Sequence, residues 1–129
     1  MLVNGVPYRT IWLADDRVTV EIIDQTKLPH EFKIEKLESV FAVANAIKNM
    51  LVRGAPLIGA TAAYGMALGI KDDPSNDNLK KCYDLLLATR PTAVNLRWAL
   101  DDLRTILTET PAGDRKNVAY KRAADICNE

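Results

Sequence analysis

Two periods divide the chain. Near the amino end Val18, Val20 and Ile22 alternate with Thr19, Glu21 and Ile23, a period of two that gives a strand one apolar face. Strands are predicted over 8–13 and 17–23, joined at Asp15-Asp16, and Asn4-Gly5 signals a hairpin between Leu2-Val3 and Val6. So small an antiparallel sheet is unstable alone and must pack on the remainder of the chain. Leu28-Pro29 breaks the alternation. From Ile34 the spacing becomes helical: Ile34, Leu37, Phe41, Ala44, Ile47 and Leu51 recur at three and four, with Val40, Val43 and Met50 widening the stripe. That helix is predicted to stop near Gly54, which suits the left-handed position after a helix end, and Pro56 fits the first turn of the next helix.

The second helix carries Gly59, Ala62, Ala63, Met66 and Ala67 at helical spacing. Small residues let backbones approach closely, so it belongs at the centre of a bundle. A polar loop over 71–78 leads to a third helix, from about Asn78 to Ala88, with Leu79, Tyr83 and Leu86 as its stripe. After Arg90-Pro91-Thr92 a fourth helix runs to about Leu107, burying Leu96, Leu100, Leu103 and Leu107. Pro111-Ala112-Gly113 ends it, and Val118 to Cys127 forms one more. The fold class is therefore α+β, one domain over 1–129: a small antiparallel β element over 1–26 and a helical bundle over 30–129.

Composition narrows the function. At 129 residues the chain is one domain or one piece of a larger protein, and 48% hydrophobic residues suffice for a real core. Seventeen basic and seventeen acidic side chains cancel, which removes any general attraction to nucleic acid or anionic membrane and leaves only local anion sites. Cys82 and Cys127 have neither metal-ligand spacing nor a disulfide framework, the pattern of reduced thiols in a cytoplasmic protein. Met1 to Leu13 has no apolar signal-peptide core. The uncharged run 54–70 is at the short end of the roughly 17–25 residues a membrane span needs, and its Ala and Gly fit a buried helix better.

Candidate chemistry concentrates at two corners. Arg53-Gly54-Ala55-Pro56 and Arg90-Pro91-Thr92 each put an arginine just ahead of a predicted helix start. A helix start exposes unpaired N–H groups at the positive end of the macrodipole. A neighbouring guanidinium adds a forked, permanently charged donor for phosphate. Each corner also has a plain structural reading: Arg53 can complement the end of the preceding helix, and Arg90 can form a surface ion pair. No other residues assemble a catalytic set. His30 is the single histidine; Asp15-Asp16, Asp72-Asp73 and Asp101-Asp102 are adjacent pairs whose side chains diverge; neither cysteine has a base nearby in sequence. Gly54 and Gly59 match neither the dinucleotide nor the P-loop pattern.

Three ordered blocks carry a family resemblance: 23–29 (IDQTKLP), 50–59 (MLVRGAPLIG) running on to Ala62-Ala63-Tyr64-Gly65, and 90–96 (RPTAVNL). Together they resemble the amino-terminal domain of the methylthioribose-1-phosphate isomerase family, which is grouped with ribose-1,5-bisphosphate isomerases and the regulatory subunits of translation initiation factor 2B. Leu57 departs mildly, standing where a smaller residue is expected. The resemblance implies conversion of 5-methylthioribose 1-phosphate to 5-methylthioribulose 1-phosphate in methionine salvage, in a cytoplasmic homo-oligomer without metal or organic cofactor. It implies that Arg53, Gly54, Ala55 and Arg90 contact substrate. It also implies that the catalytic cysteine and aspartate belong to a following Rossmann-like domain, neither of whose blocks occurs here, so that no residue of this chain is assigned as catalytic. The expected partners are a phosphorylated pentose and that second domain, with no nucleic acid and no membrane. Three other readings stay open: a ribose-1,5-bisphosphate isomerase, a non-catalytic scaffold or regulatory domain, and a docking surface formed by the fourth helix and the tail, in which Val118 and Ile126 seek the missing domain.

Overall fold

Pairing of short apolar segments builds the amino-terminal part. The computed structural model of the chain describes residues 2–3, 6–7, 11–14, 16, 18–23, 34–49, 51–52, 55–90 and 92–127. Strands β1 (Leu2–Val3) and β2 (Val6–Pro7) are antiparallel, with Val3 opposite Val6, as the Asn4-Gly5 signal predicts. Strands β3 (Ile11–Leu13), β4 (Val20–Ile23) and β5 (Ile34–Leu37) form an antiparallel sheet in that order. The register sets Ile11 against Ile22 and Val20 against Leu37, and all four are buried. On the other face Trp12, Glu21 and Lys36 are in line, and Trp12 Nε1 donates to Glu21 Oε2 at 2.8 Å.

The β3–β4 connection is tighter than the pattern implies. Asp16 Oδ1 accepts the N–H groups of Val18 and Thr19, both at 2.8 Å, and Oδ2 accepts the Thr19 hydroxyl at 2.7 Å. These bonds fold Val18 and Thr19 into a turn, so the strand expected from 17 begins at Val20. They also hold the Asp16 carboxyl below its usual 3.8, the Val18 N–H contributing most.

The helix predicted from Ile34 is a correction. Ile34 and Leu37 lie in β5, and the sheet reaches past the expected limit of 26. A spacing of three puts two residues on one face of a helix but on opposite faces of a strand: Leu37 is buried, Ile34 is 41% exposed. Backbone pairing with β4 decides between the two periods. Ser39 then starts helix α1 (Val40–Lys48), its Oγ accepting the Ala42 N–H at 3.1 Å. Its buried face is Val40, Val43, Ala44, Ala46 and Ile47, and Phe41, expected in the stripe, is 70% exposed. The helix closes at Asn49, whose N–H donates to the Asn45 carbonyl at 2.9 Å, well before Gly54.

Helix α2 (Ala55–Ile70) comes next, with Pro56 in its first turn as predicted. Ala62, Ala63, Met66, Ala67 and Ile70 are fully buried, and α2 touches α1, the later helices α3 (Asn76–Leu87), α4 (Val94–Thr108) and α5 (Arg115–Cys127), and β3. Its glycines permit that crowding. A Cβ built on Gly69 would lie 2.4 Å from Cys82 Sγ and 3.2 Å from Val40 Cβ, and one on Gly65 would lie 2.7 Å from Val43 Cγ1.

Helix α3 (Asn76–Leu87) is capped by Ser75 and buries Leu79, Cys82, Tyr83 and Leu86. On α4 the predicted leucines Leu96, Leu100, Leu103 and Leu107 are fully buried. A 3-10 turn (Ala112–Asp114) leads into α5, which starts ahead of the expected Val118. Arg115 is 6% exposed there, donating from Nε to the Thr110 carbonyl at 3.0 Å and from Nη1 to the Pro74 carbonyl at 2.6 Å. The Tyr120 hydroxyl donates to the Val18 carbonyl at 2.9 Å and joins α5 to the β3–β4 turn; burial, the main cause, pushes its pKa up to about 12. Ile126 is buried and Val118 is half-buried against the core, so both of the residues expected to seek a partner are already packed. Among the described residues no helix is long and apolar enough to cross a membrane.

Gly69→Ala will lower stability in urea unfolding by about 1–3 kcal/mol, the cost of overpacking, although it adds helix propensity. Part of that loss will be recovered in the double variant with Cys82→Ala, which removes the sulfur the new methyl meets. Asp16 has a folded pKa below its unfolded one, so its contribution is present above the unfolded value and lost as pH falls through the folded one. Asp16→Ala will therefore be less stable at neutral pH and will lose less on acidification, as read from urea midpoints across that range.

Candidate functional site

Two helix starts lie side by side. Gly59, early in α2, faces Asn95, the second residue of α4: a Cβ on Gly59 would sit 3.3 Å from the Asn95 carbonyl oxygen. The hydrogen at this position brings the amino-terminal turns of α2 and α4 into contact. The chain segments that precede those turns are the two arginine corners singled out in the sequence.

Of the four predicted contact residues, Ala55 is the first residue of α2, and Arg53 and Gly54 lie outside the described residues. Arg90 is half-buried in the connector between α3 and α4, and its carbonyl accepts the Ala93 N–H at 3.0 Å, which turns the chain into α4. Ala93 holds the cap position with φ −77° and ψ 109° and makes no side-chain cap bond. By contrast, Ser39 and Ser75 each consume a first-turn N–H in α1 and α3. The α4 start therefore keeps its amide donors free of a capping side chain, with the positive end of its dipole beside them.

A shallow cavity of about 370 Å³ opens at this end of α4, lined by Thr92, Ala93, Val94 and Arg97. Motif and composition do not single out Arg97, although its spacing carries a signal. It lies three residues past Val94 and four past Ala93, the spacings that place side chains on one helix face. Val94, 77% exposed, and Trp98, 47% exposed, continue that side of the helix. Farther along, Arg122 Nε meets Asp102 Oδ2 at 2.6 Å.

Several residues left without a role by the sequence pattern have other partners in the fold. Cys82 is buried against Gly69, and burial, followed by the charge of Asp73, raises its thiol pKa, the opposite of what a nucleophile needs. Asp16 closes a turn, Asp101 accepts from Tyr83, and Asp102 pairs with Arg122. His30 lies outside the described residues.

Residues 51–129 match the model of the initiation factor 2 subunit family, IF-2B, a span that contains both arginine corners. The chain belongs to this family. Over its full 129 residues it is 60% identical to the methylthioribose-1-phosphate isomerase of Paramagnetospirillum magneticum, of which it covers 36%. Its fold matches the crystal structure of 5-methylthioribose 1-phosphate isomerase from Pyrococcus horikoshii with a TM-score of 0.83 and 41% identity, covering 92% of this chain and 35% of that one. A TM-score of 0.82 and 34% identity relate it to the translation initiation factor eIF-2B subunit delta of A. fulgidus, covering 93% of this chain and 36% of that one. The chain thus spans about a third of the length of these relatives. The fold and family expected from the sequence blocks are those observed.

Gly59→Val will force its branched side chain against the Asn95 carbonyl and separate the two helix starts. Urea unfolding will show a loss of about 1–3 kcal/mol, and the amide resonances of 92–96 will move more than those of α5. Shifts spread evenly over the domain would contradict the contact.

Proposed function

We propose that this chain is the substrate-binding amino-terminal part of an aldose–ketose isomerase that converts 5-methylthioribose 1-phosphate into 5-methylthioribulose 1-phosphate in methionine salvage. The observation that carries the reading is the contact between the α2 and α4 starts, in a chain 60% identical to an enzyme of that name. Contact at Gly59 supports convergence of the Arg53-Gly54-Ala55 corner and the Arg90 corner on one anion. Arg53 and Arg90 supply charged donors, and Gly54, Ala55 and the open first turn of α4 supply N–H groups. Arg97 stands at the edge of the same region.

The division of labour follows from the chemistry. Moving the carbonyl from C1 to C2 requires a proton or hydride to pass between these carbons, with an acid/base group in hydrogen-bond reach. Binding and orienting the phosphorylated sugar multiplies the rate only when such a group is in place. The described residues around the α4 cavity include no carboxylate, thiol or imidazole, and Cys82 is buried elsewhere. In this reading the reacting groups come from a second, Rossmann-like region, the chain alone is inactive, and the working enzyme is a cytoplasmic homo-oligomer. A non-catalytic scaffold is the second reading, favoured by the likeness to the eIF-2B delta subunit. Identity of 60% to an isomerase against 34% to that subunit favours the first.

Amide NMR titration with 5-methylthioribose 1-phosphate, and with phosphate-free methylthioribose as control, tests this. Shifts will concentrate at 53–55 and around Arg90 and will require the phosphate. Arg53→Ala and Arg90→Ala will each weaken binding about tenfold or more, the scale of a hydrogen bond to a charged group, with the unfolding midpoint little changed. Phosphate-independent shifts, or none at millimolar ligand, would favour the scaffold.

A further inference from the structure

Among the described residues, the connector that carries Arg90 makes few bonds of its own to the start of α4. Ala93 cannot cap with its side chain. On the α3 side, the Thr89 N–H and hydroxyl both go to the Leu86 carbonyl, at 3.2 and 2.6 Å, so they secure the end of α3 and not the beginning of α4. Among the described residues, one side-chain hydrogen bond crosses from α3 to α4: the Tyr83 hydroxyl donates to Asp101 Oδ1. Arg104, three residues farther along α4, lays its guanidinium 4.3 Å from the centroid of the Tyr83 ring. Tyr83 is buried, Asp101 half-buried and Arg104 exposed, so the bond lies at the outer edge of the α3–α4 interface.

The position of this bond matters as much as its strength. Tyr83 lies about a turn before the end of α3 and Asp101 about two turns into α4. A bond between those points closes a triangle whose apex is the connector. The carboxylate makes it a charge-assisted bond, and Arg104 lies over the ring that donates it. Apolar packing of Leu86, Leu100 and Leu103 holds the helices together but tolerates small sliding, whereas a directional bond fixes their register.

We infer that Tyr83 and Asp101 are positioning residues for the Arg90 corner: their hydrogen bond, beneath Arg104, fixes where α3 hands over to α4. It thereby sets where Arg90 and the uncapped first turn of α4 stand. The effect on ligand binding rests on the proposed function; the effect on the corner itself does not.

The test compares the wild-type chain with Tyr83→Phe and Asp101→Ala, each of which removes the bond, by amide hydrogen exchange and by titration with 5-methylthioribose 1-phosphate. The Ala93 amide, which donates to the Arg90 carbonyl, is expected to exchange about tenfold faster in both variants, the scale of losing a hydrogen bond to a charged group. The Ala123 amide in α5 is expected to keep its wild-type rate, and both variants to bind the sugar phosphate more weakly. An Ala93 rate that does not change, or that rises in step with Ala123, overturns the inference, because the bond would then be a general stabiliser. Local loosening with wild-type affinity overturns the link to binding. A wild-type chain that binds no sugar phosphate overturns the functional reading, while the exchange rates, measured without ligand, still decide the positioning role.

Discussion

Close approach to helix α2 is the constraint on which the rest of the domain depends. This helix is apolar around its whole circumference and is packed by α1, α3, α4, α5 and β3. So many neighbours fit around one helix only if its side chains are short. Gly65 admits Val43 and Leu86, and Gly69 admits Cys82 and Val40, at distances where a methyl group would collide. Each glycine costs up to about 1 kcal/mol of helix propensity relative to alanine. Dense packing against four helices offsets that cost, because dispersion and apolar burial accumulate over every side chain brought into contact.

The same constraint produces the candidate site. Gly59 extends the row of small residues to the amino-terminal end of α2, and there the neighbour is the backbone of Asn95. Two helices that meet at their starts present their positive ends to one region of the surface, where separate helices would present them apart. The arginines of both corners precede these starts in sequence. The anion-binding role proposed for this end of the domain would thus be a consequence of core packing carried to the surface. It does not depend on net charge, which is zero.

Polar side chains set the details that apolar packing leaves loose. Asp16 closes the β3–β4 turn, Ser39 and Ser75 begin helices, Tyr120 ties α5 to that same turn, and buried Arg115 joins the Pro74 loop to the end of α4. In each case a side chain meets backbone groups that would otherwise lack partners. Tyr83 and Asp101 do the corresponding work between two helices. Among the described residues these contacts are few beside the apolar ones, but they are directional.

The sequence by itself determined the elements whose evidence is local. The leucine stripe of α4, the small-residue face of α2, the antiparallel pairing of β1 with β2 and Pro56 in a first turn follow from spacing and backbone chemistry carried by neighbouring residues. The motif blocks likewise marked the family and the two arginine corners, because residue identity alone carries them. Tertiary structure decided what depends on partners distant in the chain. Ile34 and Leu37 fit a helix and a strand equally well, and only pairing with β4 chose the strand; Phe41 left the core once Ser39 had fixed where α1 begins. The meeting of Gly59 with Asn95, the place of Arg97 in the α4 cavity and the bond from Tyr83 to Asp101 join residues of different helices or turn on their packing. Periodicity tells which face of a helix is buried, but not which neighbour buries it, and the site is made by neighbours.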